Sequence, residues 1–227
     1  MIYILPIATA LLCGMSFLLM LRDMNDHKKL FLGEEMAENS DAKMLKAPGI
    51  IYCSVLIAVT IAASFLFCTV YKDNGILMSM KRLALLSLLW PIAYIDFKSF
   101  RIPNAFIIYG AACRVVIFAF ELILNSDTVW MTLLSEVIAA AALLLASVLC
   151  ALIVKNSVGF GDMKLFLIMG LMLGMDGIWG AIFLSLLVSF FISAFLLITK
   201  KKTRKDAIPF GPAIVIGTYL SVCLSGM

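Results

Sequence analysis

Two aspartates in this chain occupy positions where a carboxylate is costly to place. In a sequence that is 63% hydrophobic and 14% charged, only 13 charge-free residues, Leu83–Ile95, precede Asp96. Asp162 lies in Val158-Gly159-Phe160-Gly161-Asp162-Met163-Lys164, and 11 charge-free residues then separate Lys164 from Asp176. At about 1.5 Å per residue neither run crosses a hydrocarbon layer of about 30 Å, so each helix must borrow neighbours from its charged side. Both carboxylates are thereby drawn to the inner ends of the third and sixth helices, beside one water-accessible pocket. Two nearby carboxylates do not ionise together cheaply; one keeps a proton while the other is charged, which supplies an acid and a base at one site. The charged member can activate water and the protonated one can polarise a peptide carbonyl. That is aspartic peptide hydrolysis, and it needs neither metal nor cofactor. Gly159 and Gly161 permit unusual backbone angles and the close approach of an extended substrate, or else tight helix packing.

The elements that position these residues follow from composition. Soluble domains are about 45–50% apolar and about 25% charged, so a soluble enzyme and a disordered chain are both excluded. The chain is a polytopic membrane protein, all-α, a bundle of about eight transmembrane helices. The expected spans are Met1–Leu21, Ala47–Tyr71, Ile76–Ile95, Pro103–Leu124, Trp130–Val154, a short one around Leu165–Met175, Gly177–Thr199 and Ala207–Ser225. Lys81 and Arg82 are expected to snorkel at the outer end of the third. Met1–Leu21 has no basic n-region and no clear cleavage site, and reads as a retained helix.

Loop charges orient the bundle. With the N-terminus outside, segments 22–46, 97–101, 155–164 and 200–206 face inward and carry 14 basic residues, against 3 outside. This asymmetry places both termini outside and both aspartates at the inner face. The segment Arg22–Lys46, with five basic and six acidic residues, is expected to be a short amphipathic or flexible connector. Residues 1–227 form a single membrane domain, with 83–212 as its core. The net charge of +4 is explained by basic loops and calls for no nucleic-acid partner. Six scattered cysteines without a C-x-x-C pair suggest buried hydrophobes, and the single His27 a solvated loop residue; no metal site is indicated.

Three segments resemble one family. Gly159-Phe160-Gly161-Asp162-Met163-Lys164 resembles the G-x-G-D-x-K signature of the type IV leader (prepilin) peptidases, membrane aspartic proteases that share G-x-G-D with presenilin and the preflagellin peptidases. Asp96-Phe97-Lys98-Ser99-Phe100-Arg101-Ile102-Pro103-Asn104 resembles their first catalytic segment, an aspartate ahead of an I/L-P-N/D tripeptide. Ile208-Pro209-Phe210-Gly211-Pro212 matches a segment near their C-termini. The resemblance implies a presenilin/preflagellin peptidase-like core with Asp96 and Asp162 as the catalytic pair. It implies cleavage of the short basic leader of prepilins or pseudopilins at the cytoplasmic face of a bacterial plasma membrane. Gly159 and Gly161 would then flank the substrate. Lys164 is a candidate to hold an acidic substrate group or a catalytic carboxylate, or to anchor lipid phosphate. Pro209 and Gly211 either line the pocket or break the eighth helix, and Pro103 and Asn104 start the fourth. Larger relatives carry a cytoplasmic domain with paired cysteines, associated with N-methylation by S-adenosylmethionine. Arg22–Lys46 has no cysteine, so a form without methyl transfer is expected.

Other charges have quieter readings. Arg114 and Glu121, seven apart, share a helix face and can pair with each other or with Glu136. Asp73, Asp127 and Asp176 belong to outer loops. Lys200–Lys205 anchors to anionic lipid, and Gly170 and Gly174 form a G-x-x-x-G packing pair. A proton or cation transporter, or a non-catalytic assembly subunit, would use the same membrane aspartates. Oligomeric state is not encoded in any of these features.

Overall fold

A computed structural model describes residues 4–32, 47–71, 75–124, 128–153, 159–200 and 208–225. Among them are seven helices: α1 (Ile4–Leu32), α2 (Ala47–Thr69), α3 (Ile76–Ser99), α4 (Asn104–Leu124), α5 (Val129–Ile153), α6 (Phe160–Ile198) and α7 (Gly211–Ser225). Six are long and apolar enough to cross a membrane, and α7 is a shorter apolar helix. Large apolar side chains stand exposed on the outer faces of α1, α2, α4, α5 and α6, where hydrocarbon rather than water is the fitting solvent. The protein is a multi-pass helical membrane bundle.

Helix α3 is its axis. It is apolar nearly all round, and such a helix is stable only when surrounded. From Leu83 to Asp96 every residue is buried, with α1, α2, α4, α6 and α7 packed about it. Trp90 is fully buried and stacks on Phe17 of α1 at 6.3 Å. Polar groups in the bundle are tied across helices. Tyr219 of α7 donates to the Leu86 carbonyl of α3 at 3.0 Å, and its hydroxyl lies 2.6 Å from that of Thr60 on α2. Such bonds fix helix rotation where apolar contacts alone are permissive.

The expected sixth and seventh spans are the two limbs of α6, which follow one another directly and are broken at Gly174, whose φ of 64° and ψ of −174° are non-helical. A side chain would be strained there, which is why glycine stands at this position. The contacts on either side of Gly174 run in opposite directions. A Cβ on Gly170 would meet Ala140, and one on Gly174 would meet Ser135, so the first limb lies antiparallel to α5. Gly180 meets Ser221 and Ser185 meets Ile214, so the second limb lies antiparallel to α7. The chain thus reverses at Gly174 without a loop. Of the expected G-x-x-x-G pair, Gly170 makes the close backbone approach, while Gly174 makes the turn.

Two further expectations are corrected. Helix α1 continues through Arg22 to Leu32, so the first part of the presumed connector, His27 included, is helical. Lys81 and Arg82 do not snorkel: both are buried, Lys81 to 1% exposure. Asp176 is exposed but lies within α6, two residues past the Gly174 break, and not in a loop as expected. Asp73, Asp127, Lys201–Lys205 and most of the connector lie outside the described residues. Cys13 and Cys53 are buried, whereas Cys150 is exposed.

Candidate active site

Asp96 is in the last turn of α3 and Asp162 in the first turn of α6. Both helices extend past the charge-free runs to reach them, as the length argument requires. The end of α3 is built by Phe100, a left-handed residue (φ 51°) whose N–H bonds back to the Asp96 carbonyl at 2.9 Å. The chain then passes through Ile102 and Pro103 into α4, which begins at Asn104 as anticipated. Gly159 caps α6 in an extended conformation, so Asp162 sits at a helix N-terminus, where backbone N–H groups point outward.

Three contacts bring the distant segments together. Gly161 packs so closely on Ile102 that a Cβ would lie 3.1 Å from the Ile102 Cβ. Lys164 Nζ donates to Asn104 Oδ1 at 2.9 Å. The Gly211 N–H donates to Asp96 Oδ2 at 2.8 Å. As a result the end of α3 that carries Asp96 and the start of α6 that carries Asp162 lie at the same end of the bundle, joined through Ile102 and Asn104. Asp96 is buried, and Asp162 is partly open.

The other residues singled out in the sequence take definite places. A Cβ on Gly159 would stand 3.4 Å from Asp162 Oδ2, so the absence of a side chain leaves that oxygen uncovered. Gly161, in the first turn of α6, serves the contact with Ile102 in the link between α3 and α4. Gly211 is buried at the start of α7, with no room between it and Asp96. Pro209 lies in the non-helical segment just before α7, half-buried. Of the alternatives open for Lys164, the observed partner is none of those anticipated; it is the amide of Asn104.

Next to Asp162 is a cavity of about 370 Å³, lined mainly by apolar groups such as Leu143, Phe166, Ile182 and Phe210, with Ser147 also in its wall. Phe210 meets Phe166 edge-on at 6.1 Å, joining the segment before α7 to the first limb of α6. On the other side of the α3 terminus, Arg101 bonds Asp23 of α1 at 2.7 Å. Sequence reasoning missed this pair, the Lys164–Asn104 bond and the cavity. Arg101 and Asn104 did stand inside the segment that carries Asp96, but nothing in their spacing names a partner on another helix. No group of three or more His, Cys, Asp or Glu with metal-binding proximity occurs among the described residues.

The arrangement offers two acidic side chains, one held by a backbone donor and one beside an apolar cavity. Against known proteins, the Type IV leader peptidase family model matches residues 83–198. The chain is 33% identical over 136 residues to the prepilin leader peptidase/N-methyltransferase of Bacillus subtilis (strain 168). That alignment covers 60% of this chain and 52% of the relative, so this chain spans about half of the relative's length. No solved structure matches significantly. With the family match covering slightly more than half of the sequence and both aspartates inside it, this protein belongs to the type IV leader peptidase family.

Proposed function

We propose that this protein is a membrane aspartic endopeptidase that removes the leader of prepilin-like proteins, with Asp96 and Asp162 as its catalytic pair. The observation that carries this reading is the meeting of the two segments that bear these carboxylates, 66 positions apart in sequence, inside the family-matched region. Substrate enters as an extended strand across the ends of α3 and α6. Gly211 holds Asp96 Oδ2, which leaves Oδ1 to orient the attacking water. The water oxygen attacks the scissile carbonyl carbon while one carboxylate takes its proton and the other, protonated, donates to the carbonyl oxygen. A tetrahedral diol results. It collapses by breaking the C–N bond as the protonated carboxyl gives its proton to the leaving amine and the other carboxylate takes one from a diol hydroxyl, which leaves the pair singly protonated. Lys164 and Asn104 clamp the two catalytic segments. Gly159 keeps the approach to Asp162 open, Gly161 lets α6 pack on Ile102, and Pro209 with Gly211 sets the wall on the Asp96 side.

The basic-residue asymmetry assigns the aspartate end to the cytoplasmic face of a bacterial plasma membrane. The substrates are prepilins or pseudopilins, as the relative's name suggests. The relative's second activity, N-methyl transfer, is not proposed for this chain, because Arg22–Lys46 has no cysteine and no cofactor-binding glycine loop is recognisable.

Co-expression with a prepilin, followed by immunoblot, tests the core of this reading. The wild-type protein should shorten the substrate, and Asp96→Asn and Asp162→Asn should each leave it full-length. Processing at the normal rate by either variant removes that residue from the catalytic pair. Mass spectrometry of the new N-terminus should find it unmethylated.

A further inference from the structure

At the end of the bundle remote from the aspartates, four charged side chains are buried together. Lys81 of α3 lies 2.9 Å from Glu121 of α4 and 2.7 Å from Glu136 of α5. Arg114 of α4 lies 2.9 Å from Glu121, and its Nε bonds Glu136 at 2.7 Å. The four side chains form a closed, alternating ring of zero net charge across three helices, each no more than 7% exposed. One residue earlier on α5, Ser135 Oγ accepts the N–H of Met175 at 3.1 Å, directly after the Gly174 reversal. A Cβ on Gly174 would also touch Glu136.

A ring of this kind is poor value as a stabiliser, since desolvation offsets most of its attraction; its better-attested use is to fix register. Register matters here because of where the two aspartates lie. Asp96 is 15 residues along α3 from Lys81, about 22 Å, and Asp162 is 12 residues along α6 from Gly174, about 18 Å. Both catalytic helices are therefore rods fastened at their far ends to the same adjacent residues, Ser135 and Glu136. A change in tilt of about 5° at that knot moves the end of a 20 Å rod by about 1.7 Å. Misplacement by about 1 Å can cost about a hundredfold in rate.

We infer that the Lys81–Glu121–Arg114–Glu136 ring, together with Ser135, is a remote positioning element that sets the separation of Asp96 and Asp162. As a statement about rate, this rests on the reading of those aspartates as the catalytic pair; as a statement about distance, it does not. The test uses the full chain in proteoliposomes with all four ring charges replaced by apolar residues of similar size (Lys81→Met, Arg114→Met, Glu121→Leu, Glu136→Leu). Such a change removes no net charge and leaves none uncompensated. The melting temperature is expected to stay within a few degrees of wild type or to rise, while kcat for prepilin cleavage falls at least tenfold and KM changes less than threefold. In parallel, spin labels at Asp96→Cys and Asp162→Cys, in a chain lacking the native cysteines, report the distance without any turnover. A narrow distribution with the ring intact should broaden or shift by 2 Å or more without it. A folded ring-free variant with wild-type kcat and an unchanged distribution overturns the inference. If the chain with its ring and both aspartates intact cleaves no prepilin while the labelled chains show the distance change, the peptidase reading is refuted and the positioning role stands. Should the fourfold variant not fold, Ser135→Ala carries the same two measurements, with a smaller change in the same direction expected and no change in either counting against the inference.

Discussion

The backbone N–H of Gly211 holds Asp96 Oδ2 at 2.8 Å, and a Cβ on Gly211 would fall 2.7 Å from that same oxygen and 3.0 Å from the Asp96 Cβ. Donor and obstacle are the same residue, so any side chain at 211 must displace the carboxylate it would otherwise bind. Because the Asp96 Cβ is also too close, rotating the carboxylate alone does not relieve the contact. Gly211→Ala is expected to lower prepilin cleavage by about tenfold to a hundredfold, in line with a displacement on the order of 1 Å. Its folded yield in detergent should stay near wild type. Normal turnover by this variant would show that Asp96 is not held where cleavage needs it.

Lys164 and Asn104 separate two explanations of one lysine. If the 2.9 Å bond clamps the catalytic segments, Asn104→Ala and Lys164→Met should reduce kcat by similar factors, about threefold to tenfold. Asn104→Asp should retain most activity, because it offers Lys164 an acceptor of the same reach. If Lys164 instead binds an acidic group of the substrate, Lys164→Met raises KM and Asn104→Ala does nothing. Steady-state kinetics on a purified prepilin distinguishes the two.

The cavity beside Asp162 predicts a change in substrate preference. Ser147 is a small residue in its wall, and Ser147→Phe would fill much of the about 370 Å³ space. Substrates with a bulky apolar residue next to the scissile bond should lose at least tenfold in kcat/KM, while an alanine at that position should lose little. Competition between two such substrates, followed by mass spectrometry, measures the ratio. Equal losses for both would mean that the cavity does not hold a substrate side chain.

Gly174 and Gly170 should be intolerant for different reasons. Gly174→Ala forces a side chain into a backbone region that costs about 1–3 kcal/mol. Gly170→Val drives a Cβ to 2.5 Å from the Ala140 Cα, a backbone atom with nowhere to move. The expected loss is about 3 kcal/mol, at the upper end for an overpacked core. Thermal unfolding in detergent should show a lower midpoint for both variants, larger for Gly170→Val, and a wild-type midpoint for either would contradict the close contact described.

Sequence alone determined the solvent, the class and the residues of interest, because each of these depends on local composition. Apolar run length demands a membrane, and short runs beside Asp96 and Asp162 demand that both aspartates lie at helix ends. The all-helical bundle, the start of α4 at Asn104 and the close approach at Gly170 were legible in the same way. Tertiary structure decided everything that depends on which helix lies beside which. Lys81 reads locally as a snorkelling lysine, because nothing within its own helix shows that Glu121 and Glu136 will be brought to it from α4 and α5. Gly211 reads equally as pocket wall or helix breaker until α7 packs against α3 and its N–H reaches Asp96. Gly174 reads as a packing glycine, since a positive φ leaves no trace in hydropathy. Spacing along a chain encodes which residues share a helix face, whereas a carboxylate acquires its donor, its neighbour and its cavity only when separate helices meet.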